Sequence, residues 1–239
     1  MKIDATGLYF IELNEKIREA EDTHIEVENC LGQRYIGCGL ADKTIDIHGT
    51  AGNGLGAYLN GAKLTVYGNA QDATGDTMNK GEIIIHGSAG DACGYAMRGG
   101  SIFVRDDAGY RAGIHMKAYL HKFPKLVIGG NAGSFLGEYQ AGGIILVLNR
   151  GNESIPVGNF CGTGMHGGKI YVRGEVPEHH ISPNISVSEL NEEENEELLR
   201  CIKKYCVLFK EEEEYILKGK FYKLSPSSSR PYANLYTKN

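Results

Sequence analysis

The chain lacks tryptophan altogether and carries only six prolines in 239 residues. It has no apolar run approaching the roughly 18 residues that a membrane-spanning helix needs. That absence leaves nothing to cross a bilayer, so a soluble protein is expected. The opening Met1-Lys2-Ile3-Asp4 lacks the pattern of a secretory signal. None of the six cysteines (Cys30, Cys38, Cys93, Cys161, Cys201, Cys206) makes a C-x-x-C pair, so zinc and iron–sulfur ligation have no local support. They read instead as reduced, mostly buried thiols of a cytoplasmic protein. A basic excess is missing too: the net charge of −5 argues against nucleic acid as a partner.

What the chain has in excess is glycine, 33 residues of it, without the strict third-residue period of collagen. A repeat accounts for it. Ile45-Asp46-Ile47-His48-Gly49 returns about nineteen residues later as Leu64-Thr65-Val66-Tyr67-Gly68. It returns again at Ile83–Gly87, Ile102–Asp106, Leu126–Gly130, Ile145–Asn149 and Ile170–Gly174. Self-similarity at such a period marks a stacked-repeat architecture. The expected fold is therefore all-β dominant, a single-stranded parallel β-helix of about seven coils, with apolar residues two apart facing inward.

Three further columns follow the same period. The residue closing each line is Gly49, Gly68, Gly87, Asp106, Gly130, Asn149 or Gly174. Where glycine is missing, only Asp and Asn stand in, so positive φ is predicted along this column. A small residue follows at Ala51, Ala70, Ala89, Ala108 and Ala132, and a second glycine at Gly56, Gly75, Gly94, Gly113, Gly137 and Gly162. Then comes Leu59, Met78, Met97, Met116, Gln140 or Met165, read as an apolar stack rather than a soft-metal site. Gln140 interrupts it and requires an internal hydrogen-bond partner or an exit to solvent.

In chain order, residues 1–41 are expected to form a helical lead-in, with an apolar face of Phe10, Ile11, Leu13, Ile17 and Ala20, and an imperfect first coil at Thr23–Glu28. The G-x-G of Gly37 and Gly39 is not a dinucleotide site, because no correctly spaced third glycine or helix signal follows. Repeats fill 42–174, interrupted by insertions at Met116–Pro124 and Arg150–Pro156, which are expected to emerge as loops. Residues 175–239 hold a linker, a helix from Ser188 (as N-cap) to Phe209, and an extended polar tail. The helix stripe is Leu198, Leu199, Ile202, Tyr205, Cys206 and Phe209.

The outward strand positions are Asp46, Thr65, Ile84, Phe103, Val127, Leu146 and Tyr171. An apolar stripe of that length calls for a cover, supplied either by the chain's own helix or by another protein, with the helix favoured. The neighbouring column His48, Tyr67, His86 and Arg105 is read as a solvated or partner-facing ladder, its histidines too far apart for one metal ion. Asp72 and Asp91 share a column and would stand about 5 Å apart, near the carboxylate separation of retaining glycosidases. Both sit in turns, where Asp commonly bonds backbone. His179 and His180 are adjacent and do not converge on an ion. No catalytic, cofactor-binding or metal-ligating residue is assigned.

Several words of the sequence resemble a known family. Tyr35–Tyr58 (YIGCGLADKTIDIHGTAGNGLGAY), Tyr67–Asp72 (YGNAQD), Gly109–Gly113 and Gly158–Met165 are similar to the C-terminal GXGXG domain of the glutamate synthase large subunit. The whole chain resembles the stand-alone form of that domain, found mainly in archaea, and Ser227–Tyr232 adds to the likeness. The resemblance implies a right-handed parallel β-helix and a role without chemistry. It implies a brace for a glutaminase subunit and for a synthase subunit that holds FMN and an iron–sulfur cluster, with no cofactor on this chain. The related glycine-repeat subunit of formylmethanofuran dehydrogenase has similar but more uniform lines and is the alternative. A homo-oligomeric scaffold is a third.

Overall fold

The computed structural model describes residues 1–190 and 192–227, and the side chains of all of these except 192–194. The elements in order are β1 (Lys2–Asp4), α1 (Phe10–Glu19), β2 (His24–Leu31), β3 (Thr44–Thr50), β4 (Asn60–Tyr67) and β5 (Lys80–Ile85). They continue with β6 (Ser101–Val104), β7 (Lys125–Ile128), β8 (Ala141–Val147), β9 (Gly167–Arg173), β10 (Ile185–Ser188), α2 (Glu192–Phe209), α3 (Glu213–Leu217) and β11 (Phe221–Pro226).

Period-two alternation in each line makes a strand, and the strands stack in the register the repeat dictates. Ile45 pairs with Leu64, Leu64 with Ile83, Ile83 with Ile102, Ile102 with Leu126, Leu126 with Ile145 and Ile145 with Ile170. All seven are fully buried. Burial of each contributes on the order of 1.5–3 kcal/mol, and only the neighbouring line makes that burial available.

The architecture itself departs from the sequence expectation. The expected single-stranded right-handed parallel β-helix is replaced by one eleven-stranded mixed sheet that does not close on itself. Its order is β1-β2-β3-β4-β5-β6-β7-β8-β9-β11-β10. β1 to β9 run parallel, whereas β11 is antiparallel to both β9 and β10. Among the described residues, the segments joining successive strands contribute only single-residue bridges, a parallel column at Ala51, Ala70, Ala89, Ala108, Ala132 and Val157 and the isolated pairs Tyr119–Lys122 and Cys161–Ile181. The reason lies in their backbone. Each linking turn places three alternate residues in the left-handed region, as at Ala92, Gly94 and Ala96 with φ of 54°, 74° and 50°. Such angles turn the chain too sharply for an extended strand. These turns still stack, through bonds such as Gly94 N–H to Thr74 O, and they close the inner core from the side opposite the sheet.

Positive φ was expected at the line-closing column and holds there only at Gly49, Asn149 and Gly174. Gly68, Gly87, Asp106 and Gly130 are not left-handed. Glycine serves close approach instead: a Cβ on Gly68 would stand 2.2 Å from the Gly49 carbonyl oxygen, and one on Gly130 2.1 Å from Asp107 Oδ1.

The lead-in opens with β1 rather than a helix, and α1 buries Leu13 and Ile17 while Ile11 faces water. Ile25 and Val27 point inward from β2, which pairs with β3. Ser188 ends strand β10, so it does not cap the helix, which begins at Glu192; the cap position 191 lies outside the described residues. The apolar run Phe221–Leu224 forms β11, and its Leu224 joins the inner core beside Ile170. The tail beyond 227 lies outside the described residues. No described helix is long and apolar enough to cross a membrane.

Candidate functional site

The outward stripe is covered by the chain's own helix. Ile84, Phe103, Val127, Leu146 and Tyr171 form one buried cluster with Leu198, Cys201, Ile202, Tyr205, Cys206 and Phe209 of α2. Polar contacts fix the helix at three places. Lys204 bonds Glu82, and its ammonium lies 5.2 Å from the Phe103 ring centre. The Tyr205 hydroxyl donates to the Arg105 carbonyl at 2.8 Å. That bond depends on Gly129, where a Cβ would meet the Tyr205 hydroxyl. Arg150, from the second insertion, bonds Glu211 just beyond α2 and Asp106 at 2.7 Å.

A buried cation that the sequence reading overlooked joins the C-terminal segment to the sheet. Arg173, only 4% exposed, donates to the carbonyls of Ile216 (2.9 Å), Asn149 (3.0 Å) and Tyr215 (3.2 Å) and to Asn152 Oδ1 (2.6 Å). Tyr215 and Ile216 lie in the last turn of α3, where the helix dipole favours a positive charge.

The polar columns have structural partners. Asp72 Oδ1 accepts the Asp91 N–H at 2.9 Å, and Asp91 Oδ1 accepts the Tyr110 N–H at 2.8 Å. A second ladder runs beside it, from Asn69 Oδ1 to the Ser88 N–H, from Ser88 Oγ to the Asp107 N–H and from Asp107 Oδ1 to the Asn131 N–H. It ends at Asn131, whose buried Oδ1 finds no partner among the described residues; the next position in register is Pro156, which has no N–H. Each carboxylate thus bonds the backbone of the next line. Asp72→Ala is expected to cost about 1 kcal/mol, the worth of one such bond, as read from the urea midpoint. A loss of several kcal/mol would mean that Asp72 has a partner beyond the Asp91 amide.

His48, Tyr67 and His86 stack at ring separations of 4.7 and 4.9 Å, and His86 meets Phe209 of α2 edge-on at 5.1 Å. The ladder therefore ends under the helix, and burial, with Arg105 nearby, pushes the His86 pKa down. His180 is buried, its Nδ1 3.0 Å from the Val157 carbonyl oxygen, while His179 is exposed. Met78, Met97, Met116 and Met165 are buried in the inner core. Gln140 takes the internal route, its amide donating to Gly143 O at 3.1 Å and Gly142 O at 3.3 Å. All six cysteines are free thiols, and five are buried. Burial pushes Cys93 and Cys161 up to about 12 and Cys206 up to about 11, which makes them poor nucleophiles. No group of three or more His, Cys, Asp or Glu among the described residues is placed to hold a metal ion.

Aromatic side chains mark the turn side. Tyr110, Phe135 and Phe160 form a row with ring separations of 5.2 and 4.8 Å. Arg111 lies over the first two and bonds Glu138 at 2.9 Å. Spacing at the repeat period could have found this row, because each ring sits at or beside a left-handed turn residue.

The GXGXG motif family matches residues 11–227, nearly the whole chain. The chain belongs to the GXGXG family. This GXGXG chain is also 46% identical, over 98% of its own length and 95% of the other, to the uncharacterized protein MJ1350 of Methanocaldococcus jannaschii. A chain in the crystal structure of the formyltransferase/hydrolase complex of Methylorubrum extorquens, solved with methylofuran, shares its fold. That likeness has a TM-score of 0.66 at 18% identity and covers 95% of this chain and 91% of the other.

Proposed function

We propose that this GXGXG chain is a non-catalytic structural subunit that braces the catalytic parts of a multi-subunit enzyme. The observation that carries the reading is the fold likeness, over 95% of the chain, to a component of such an assembly. The construction suits a brace. Stacked parallel strands, stacked turns on one side and a clamped helix on the other make a stiff body with two buried apolar clusters.

The fold likeness favours a formyl-handling complex, in which the chain takes the place of the glycine-repeat subunit of formylmethanofuran dehydrogenase. A second reading rests on the sequence words at Tyr35–Tyr58 and Tyr67–Asp72, which favour glutamate synthase. There the chain holds a glutaminase subunit against a synthase subunit with FMN and an iron–sulfur cluster. Either role belongs to the cytoplasm, where free thiols stay reduced.

The test is purification of the native protein from its source cells, followed by mass analysis of the intact assembly and two assays. Formyl transfer to a furan-type carrier supports the first reading, and glutamine-dependent glutamate formation from 2-oxoglutarate supports the second. A chain that elutes alone, or only with copies of itself, and carries neither activity would sink the proposal.

A further inference from the structure

The hairpin inserted at Met116–Pro124 is built to project. Tyr119 and Lys122 exchange both backbone hydrogen bonds, at 3.1 and 3.0 Å, so Leu120 and His121 form a two-residue turn. The base of the hairpin is fixed. Pro124 is buried and its carbonyl accepts the Ile144 N–H at 3.0 Å, while Ala118 packs so close to Gly142 that a Cβ there would stand 2.6 Å from the Ala118 nitrogen. Beyond that base the tip holds Tyr119, Leu120 and Phe123, which are 50%, 76% and 59% exposed.

Two features mark the tip. Leu120 has φ 55°, a left-handed angle that costs a leucine about 1–2 kcal/mol and that glycine would adopt freely. That angle closes the two-residue turn, while the side chain points into water. The second feature is charge. No Asp or Glu occurs between Asp107 and Glu138, although the chain as a whole is acidic. Arg111, Lys117, Lys122 and Lys125 all fall in that interval. None of Lys117, His121 and Lys122 makes a salt bridge among the described residues.

We propose that this hairpin is the finger by which the chain docks on a catalytic subunit of its complex, entering an apolar socket rimmed by carboxylates. The inference rests on the subunit reading above and adds the contact. Aromatic and aliphatic side chains seated in a pocket are the usual anchors of protein interfaces, and cations beside them steer an acidic partner. An anionic lipid surface offers complementary charge as well. Two lysines, at about 1 kcal/mol each, and three small wedges give only marginal membrane binding, so a protein socket is favoured.

The experiment uses the full chain and the catalytic subunits with which it co-purifies. Each subunit is immobilised in turn, and the chain is titrated as wild type, Leu120→Gly, Phe123→Ala and the pair Lys117→Glu/Lys122→Glu. Leu120→Gly is expected to melt at the same temperature as wild type or slightly higher, because the strain is relieved, yet to bind at least tenfold more weakly. Phe123→Ala is expected to show the same weakening at an unchanged melting temperature. The charge pair should lose most affinity at low salt and converge on wild type as salt is raised. Unchanged affinity in all three would overturn the docking assignment while leaving the subunit reading intact. Wild-type sedimentation with phosphatidylserine vesicles that is lost in Leu120→Gly would also overturn it, in favour of a membrane. Failure of the wild type to bind any catalytic subunit would remove both readings.

Discussion

Gly49→Ala is expected to lower the unfolding free energy by about 3 kcal/mol or more, the sum of left-handed strain and overpacking. Gly49 has φ 122°, and a Cβ there would stand 2.1 Å from the Cys30 carbonyl oxygen. That oxygen belongs to the neighbouring strand, so it cannot swing aside as a side-chain end can. Gly7 provides the control. Its φ is 72°, but nothing lies within 4 Å of the Cβ position. Gly7→Ala should cost only the backbone term, about 1–2 kcal/mol. Urea denaturation of both variants separates the contributions. Equal losses would mean that dihedral strain alone selects glycine, and that the close approach between lines is not what limits side-chain size.

Arg173→Leu is expected to destabilise the chain by about 3 kcal/mol, because the carbonyls of Ile216 and Asn149 lose buried charge-assisted donors and the Tyr215 carbonyl loses a part-buried one. The damage should be uneven. Arg173 is where strand β9, the second insertion and helix α3 meet, so hydrogen exchange should rise first across Glu213–Leu217. Arg173→Lys should recover only part of the loss, since an ammonium supplies one point of charge where the guanidinium presents a fork toward four oxygens. Full recovery by lysine would show that charge near the end of α3 is what matters, and the fork geometry would be set aside.

Much of the inner core could be read from the repeat. The stacked aliphatic residues, the buried methionines and the alanine column all fall where the period places them. The apolar outward stripe also announced its own cover, because a matching stripe existed on one later helix. The column that closes each line was misread for a specific reason. Glycine is required both where φ is positive and where a Cβ would stand within about 2–3 Å of the neighbouring line, and composition cannot separate the two causes. Arg173 escaped notice because it occupies the same repeat column as the exposed Tyr67 and Arg105, and only the placement of α3 buries it.

The sequence by itself determined which residues stack on which, since a fixed period forces every line to repeat its neighbour's pattern of inward side chains. Tertiary structure alone decided that the strands form one open sheet with turns, not further strands, on the other side. The angles of the linking residues depend on contacts between lines, which no single line encodes. It also decided that β11 turns back antiparallel on β9 and that a single arginine holds the C-terminal segment in place. Those outcomes depend on groups far apart in the chain, and their proximity exists only once the stack has formed.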